Sequence, residues 1–226
     1  MALKDPREIR LIAFDLDGTL IDGIVYLWQT LHHHFETDAE ARRLAAERYF
    51  SGQIDYRSWF ETDLELLRAA GANRESIEKA LGKLKPVPGA ASVLGELKKR
   101  GYRLALISGS LDVALDHFFD RALFDVVFIN EIDFAPDGSI AGGRATPYDL
   151  EKKALGLEHA ASRFGLGPGQ CAFVGDNIND TEVMKRAGFA IAVNPKSPEI
   201  EAIADVVIAD GRLDRLLEIF PGPTAS

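Results

Sequence analysis

Cysteine is nearly missing from this chain. Cys171 stands alone, so no internal disulfide can form, and the composition suits a reducing compartment. Long apolar runs are missing as well: no window approaches the roughly 18 apolar residues of a membrane span. The opening MALKDPREIR carries no apolar stretch of the signal-peptide kind. Together these set the expectation of a soluble, cytoplasmic protein with no membrane partner. Positive charge is the scarcer sign, 26 Lys+Arg against 35 Asp+Glu for a net charge of −9. Without a basic stripe such a chain repels phosphate backbones, which argues against nucleic acid as a partner and leaves a small phosphorylated metabolite open. Neither GxGxxG nor GxxxxGK followed by Ser or Thr occurs, so the common nucleotide-binding fingerprints are absent. There are no internal repeats.

What is present reads as globular: 226 residues, 46% hydrophobic and 27% charged, with room for one large domain or a core plus a modest insertion. Short, continuous apolar runs recur at Ile9 to Phe14, Arg103 to Ile107, Val126 to Ile129, Cys171 to Val174, Ala190 to Val193 and Val206 to Ile208. Strands apolar on both faces belong to a parallel sheet covered by helices. Gly89 to Arg100, Leu150 to Phe164 and Thr181 to Ala187 carry helical i, i+3, i+4 spacing. The expected fold is therefore α/β, a doubly wound, mostly parallel sheet. Residues 22–85 break the pattern. They hold no convincing strand and read as amphipathic helices interrupted near Thr37-Asp38, Ser51-Gly52 and Gly71-Ala72. Residues 1–21 and 86–226 are thus expected to form the core, with 22–85 as a small all-helical cap inserted after the first strand. Pro136-Asp137-Gly138 predicts a hairpin within Phe128 to Arg144, and the PGPTAS tail is expected to be loose.

The chemistry gathers at strand ends. Asp15-Leu16-Asp17-Gly18-Thr19 closes the first strand, at the carboxyl edge where open α/β sheets bind ligands. Residues two apart on a strand share a side, so both carboxylates are expected at one site. Gly175-Asp176-Asn177-Ile178-Asn179-Asp180 brings two more to the same edge, before a helix expected to begin near Asn179. Four carboxylates there make an oxygen-ligand site for a hard cation, best matched by Mg²⁺. Ser108 ends another strand, where its hydroxyl and the amides of Gly109 and Ser110 could hold a phosphate at a helix N-terminus.

These motifs resemble the haloacid dehalogenase (HAD) superfamily: DLDGT at 15–19, Ser108 after a strand, a lysine near 153, then GDNIND at 175–180. The resemblance covers essentially all of the core. The helical insertion, Gly52-Gln53-Ile54 leading to Trp59, the hairpin before the lysine, and Asn179 before Asp180 resemble the phosphoserine-phosphatase-like branch. It implies a Rossmann-like core and Mg²⁺-dependent hydrolysis of a small phosphorylated metabolite. A phosphomutase on the same core and a phosphoserine phosphatase proper are the alternatives. Asp15 would be the nucleophile, forming an aspartyl-phosphate, and Asp17 the general acid and base. Mg²⁺ would be held by Asp15, the Asp17 carbonyl oxygen and Asp176, with Asp180 in support. Ser108, the Gly109 amide, Lys153 and Asn179 would bind the phosphoryl oxygens, and Gly18 and Thr19 would shape the turn after the nucleophile.

Two lysines compete for one role. Lys153 lies 23 residues before Asp176, the separation expected without an insertion, and Lys152 is the other candidate. Adjacent helical residues diverge by about 100°, so only one can face the site. His32-His33-His34 is read as a polar cap surface, because three consecutive helical residues do not share a face. Cys171 is read as packing. Tyr26, Trp28, Tyr56 and Trp59 are read as cap core, with one or two in the substrate pocket. Phosphoserine is not expected as the preferred substrate. The branch reads the ammonium group with an acid shortly after the nucleophile motif, a position occupied here by Ile24, with Asp22 two residues away. It reads the carboxylate with a cap arginine, where this chain has Trp59 to Asp63 with only Arg57 and Arg68 nearby. Cap residue roles and oligomeric state stay open.

Overall fold

In the computed structural model, which describes residues 5–223, Leu11–Phe14 form β1, buried at every position. The chain then turns through Ile21–Asp22 (β2) into four helices: α1 (Leu27–His34), α2 (Ala39–Phe50), α3 (Tyr56–Ala69) and α4 (Arg74–Leu81). It returns through Lys85–Pro86 (β3), which pairs antiparallel with β2. There follow α5 (Ala90–Lys99), β4 (Arg103–Leu111), α6 (Asp112–Phe118), β5 (Val126–Phe134) and β6 (Ile140–Arg144). The last third runs α7 (Lys153–Ser162), β7 (Cys171–Gly175), α8 (Thr181–Arg186), β8 (Phe189–Val193), α9 (Pro198–Ile203), β9 (Val206–Ile208) and α10 (Leu216–Ile219). The end of the PGPTAS tail lies outside the described residues.

Seven strands form one sheet in the order β6-β5-β4-β1-β7-β8-β9. All neighbours are parallel except β5 and β6. Alternation along each strand divides the core between two faces. Ile12, Phe14, Leu104, Leu106 and Val174 join Val93, Leu94 and Leu97 of α5. Leu11, Ala13, Ile107 and Phe173 pack on the other side against Leu157 of α7 and Val183 and Met184 of α8. Cys171 belongs to this second layer, where burial pushes its thiol up to about 12. No helix among the described residues is long and apolar enough to cross a membrane.

The four helices between β2 and β3 begin at side-chain caps wherever the sequence supplies one. Asp38 accepts from the Glu40 and Ala41 amides, Asp55 from Ser58, and Asn73 forms a reciprocal box with Ser76. Phe60, Leu64 and Leu67 of α3 pack with Leu27, Leu31, Ile77 and Leu81. The β5–β6 hairpin, turning at Pro136-Asp137-Gly138 as expected, abuts these helices. Arg68 donates to the Ile140 carbonyl, and the Arg74 amide to that of Gly138.

Two boundaries differ from the sequence reading in ways that matter for the site. The strand expected to stop before Ser108 continues as β4 to Leu111, with its register to β5 shifted between Ile107 and Leu111. Ser108, Gly109 and Ser110 therefore sit on an irregular strand end, and α6 starts only at Asp112. Such irregularities re-aim side chains next to sites. The helix expected near Asn179 is first a short 3-10 turn, Ile178–Asp180, and α8 begins at Thr181.

Candidate active site

Asp15 leaves β1 and Asp176 leaves the neighbouring β7, so parallel pairing alone brings them to one edge. Asp180 completes the group from the 3-10 turn. One carboxylate oxygen from each of Asp15, Asp176 and Asp180 lies within 4.8 Å of the others, and all three residues are buried. Glycine makes this packing possible. Gly18 has φ +72°, and a Cβ there would overlap the Asp176 carboxylate. A Cβ on Gly175 would likewise overlap Asp180. Thr19, buried below, donates its hydroxyl to Asp176 Oδ1 at 3.3 Å.

Lys153 is the lysine that reaches this cluster. Fully buried at the start of α7, its Nζ lies 2.7 Å from Asp180 Oδ1 and 3.0 Å from Asp15 Oδ1. Lys152 is exposed. The flanking carboxylates hold the Lys153 ammonium charged against its burial, raising its pKa. Asp180 Oδ2 accepts from the Asp176 and Asn177 amides at 3.1 and 3.4 Å, which fixes the loop carrying Asp176. One ammonium cannot balance three carboxylates. Burial, then Asp15 and Asp180, pushes Asp176 up to about 9, and its Oδ2 is buried with no hydrogen-bond partner. Hard oxygens, surplus negative charge and an orphaned acceptor fit a divalent cation, so the cluster could hold a metal ion.

Asp17 is placed differently from the reading that put four carboxylates together. Its side chain is not one of the clustered three. Oδ2 accepts from the Leu27 amide at 2.6 Å, at the first residue of α1, and Oδ1 from the Ser110 hydroxyl at 2.8 Å. The strand has already ended at Phe14, so period-two geometry does not apply to residue 17. Burial, with the Asp15 charge second, pushes Asp17 up to about 7. Asp15 and Asp17 nevertheless line the same cavity of about 290 Å³, together with Ser108, Gly109 and Asn179. The Ser108 hydroxyl accepts from the Ser110 amide, and Asn179 Oδ1 is buried without a partner. Gly18 and Thr19 do not line the cavity.

The helical side of the cavity held most of what sequence reasoning missed. Asp149, half-buried and close enough to Lys153 to feel its charge, accepts from the Tyr56 hydroxyl at 2.8 Å, and Asn130 donates to that same hydroxyl. Burial pushes the Asp149 carboxyl up. Trp28 donates to the Gly109 carbonyl, and Asn177 to the Tyr26 hydroxyl. All four aromatics read as cap core line the cavity. The histidine run needs correcting. His33 and His34 are exposed, but His32 is only 5% exposed, bound to Thr37 and 3.4 Å from Asp63. The 100° step that separates the three rings turns His32 inward.

A family model described as haloacid dehalogenase-like hydrolase matches residues 9–188. The chain belongs to this family. It is 31% identical over 210 residues to a phosphoserine phosphatase of Archaeoglobus fulgidus, covering 92% of this chain and 58% of that one. It thus spans little more than half of that relative's length. A phosphoserine phosphatase of Methanocaldococcus jannaschii is 28% identical over 214 residues, covering 94% of this chain and 98% of the relative. A solved phospho-aspartyl intermediate analogue of phosphoserine phosphatase superposes with a TM-score of 0.71 at 27% identity, covering 93% and 98% of the two chains.

Proposed function

We propose that this protein is a Mg²⁺-dependent phosphomonoester hydrolase that acts through a phosphorylated Asp15. The observation that carries the reading is Asp15 at the cavity floor, ion-paired with buried Lys153, beside a second aspartate raised to about 7. Bound at Asp15 and Asp176, with the Asp17 carbonyl expected to assist, Mg²⁺ would offset the repulsion between carboxylates and a phosphate dianion.

The chain's own residues supply the rest. Lys153 holds Asp15 Oδ1, which leaves the other oxygen to attack phosphorus as the ester oxygen departs. Asp17, which burial pushes up to about 7, gives its proton to that departing alkoxide. The Ser110 hydroxyl and Leu27 amide aim its carboxyl. In the second half-reaction Asp17 takes a proton from water, the water oxygen attacks phosphorus, and the Asp15–phosphate bond breaks to release inorganic phosphate. Ser108, the Gly109 amide, Lys153 and Asn179 would bind the phosphoryl oxygens, while Asp180 would keep Lys153 and the Asp176 loop in register.

A small phosphorylated metabolite other than phosphoserine fits the remaining wall. Ile24 is buried and does not line the cavity. Asp22 is exposed and caps the Gly23 amide. Arg57 pairs with Glu61, and Arg68 with Glu65 and the Ile140 carbonyl. Leaving an ammonium or a carboxylate without a partner in the cavity disfavours binding, and the charged side chains that do line it, Arg42 and Asp63, face each other at 3.6 Å. Phosphate release from a panel of phosphorylated metabolites tests the proposal. Turnover should require Mg²⁺, stop with EDTA and vanish in Asp15→Asn. Undiminished turnover by Asp15→Asn refutes the nucleophile.

A further inference from the structure

We infer that the leaving group this cavity selects is one carrying a single aromatic or heteroaromatic ring. The inference rests on the phosphatase reading above and names the class of ester that it acts on.

Six aromatic side chains line a cavity of only about 290 Å³: Tyr26, Trp28, Phe50, Tyr56, Trp59 and Phe60. They come from α1, α2 and α3 and from the residue before α1, opposite the edge that carries Asp15 and Ser108. The volume lies at the small end of ligand sites, roughly 300–1,000 Å³. It accommodates a phosphate and one ring.

Trp28, Tyr56, Trp59 and Phe60 are held by neighbours before any ligand arrives, whereas Phe50 is 71% exposed. Tyr49 stacks on the Trp59 indole at 4.9 Å and 29°, while Phe50 and Tyr56 meet its edges at 5.6 and 6.2 Å. Phe60 stands perpendicular to Trp28 at 5.7 Å, and the Trp28 indole N–H is tied to Gly109. Tyr56 is tied to Asp149 and Asn130. Rigid ring walls favour another ring, through offset or edge-on contacts, over an aliphatic group of equal area.

Charged groups are confined to one end of this wall. Asp63, 4% exposed, is faced by Arg42 at 3.6 Å and His32 at 3.4 Å. Both Arg42 and Asp63 line the cavity, and Arg42 Nε, Asp63 Oδ1 and His32 Nε2 make no hydrogen bond within the protein. The Trp59 indole N–H is buried with no acceptor in the protein, so an acceptor atom on the ligand ring would complete it.

The test compares kcat/KM, with Mg²⁺, for benzyl phosphate, cyclohexylmethyl phosphate and phosphoserine. The first two differ in the ring and hardly in leaving-group chemistry. Each well-placed aromatic contact corresponds to about 2- to 10-fold. Benzyl phosphate should therefore exceed cyclohexylmethyl phosphate by about tenfold, exceed phosphoserine by more, and lose most of its lead in Trp59→Leu. A second measurement needs no mutant. The chain has two tryptophans, both in the cavity wall, so their fluorescence should report benzylphosphonate binding about tenfold tighter than cyclohexylmethylphosphonate. Equal kcat/KM or equal Kd within each pair, or a preference for phosphoserine, overturns the inference and leaves the hydrolase standing. No metal-dependent phosphate release from any ester overturns both.

Discussion

Lys153→Met removes the one ammonium from a cluster of three buried carboxylates while keeping the length and apolar stem of the side chain. Removing one member of a buried ion pair costs about 3–5 kcal/mol, because the partner is left charged and unsolvated. For a chain of this size each kcal/mol corresponds to about 2–4 °C in Tm, so the metal-free variant should melt roughly 6–20 °C below the parent at pH 8. The pH dependence separates charge from packing. Burial and mutual repulsion raise Asp17 to about 7, Asp176 to about 9 and Asp180 to about 6 in the folded state. Groups raised above their unfolded values contribute stability that is present below about pH 4 and lost as pH climbs through 6 to 9. Lys153 is what limits that loss at Asp180 and Asp176. The gap between parent and variant should therefore narrow on acidification to pH 5.5, when the carboxyls take up protons. Thermal melts in EDTA at both values, with exposed Lys152→Ala as the comparison, measure it. A Tm gap equal at pH 5.5 and pH 8 would refute the electrostatic account.

Asp17→Asn should lower turnover of alkyl phosphates by about 10²–10⁴-fold and that of p-nitrophenyl phosphate by much less, since nitrophenolate hardly needs a proton. Equal losses on both esters would remove the general-acid role. In the parent, kcat/KM for an alkyl ester should fall as pH rises through about 7, where Asp17 gives up its proton; a profile flat to pH 9 contradicts that assignment. Gly18→Ala combines a side chain at φ +72° with overlap on Asp176. It should weaken Mg²⁺ binding more than tenfold by calorimetry while far-UV circular dichroism stays unchanged, and an unaltered Kd would show that Asp176 has room to move.

The strands and the carboxylate cluster were legible because their signals are local. A run buried on both faces has no polar residue until it ends, and DLDGT and GDNIND each follow such a run. The spacing from Asp176 also separated Lys153 from Lys152. What escaped depends on partners distant in sequence. Ser108-Gly109-Ser110 reads as a turn, yet pairing with β5 draws the strand through to Leu111. Asp17 turns away from the cluster toward a backbone amide at Leu27, a donor with no side-chain signature. Asp149 is marked by a hydroxyl 93 residues earlier. His32 differs from its two neighbours in the run only by the direction that α1 happens to face.

The ribbon formed by β2 and β3 brings the two ends of the four-helix segment into register, Ile21 beside Pro86 and Asp22 beside Lys85. A segment whose ends already lie side by side adds little loop-closure entropy to the chain that carries it. The strand order that carries Asp15 and Asp176 is thereby independent of the helices, whose ties to the site run through Leu27, Trp28 and Tyr56. Those helices can lengthen, shrink or be exchanged for another unit across a single two-stranded seam, without a change of strand order. The helices that supply the ring-lined wall and the strands that supply the carboxylates can therefore change at separate rates within one polypeptide. A graft made at that seam is the natural way to give this core a different appetite.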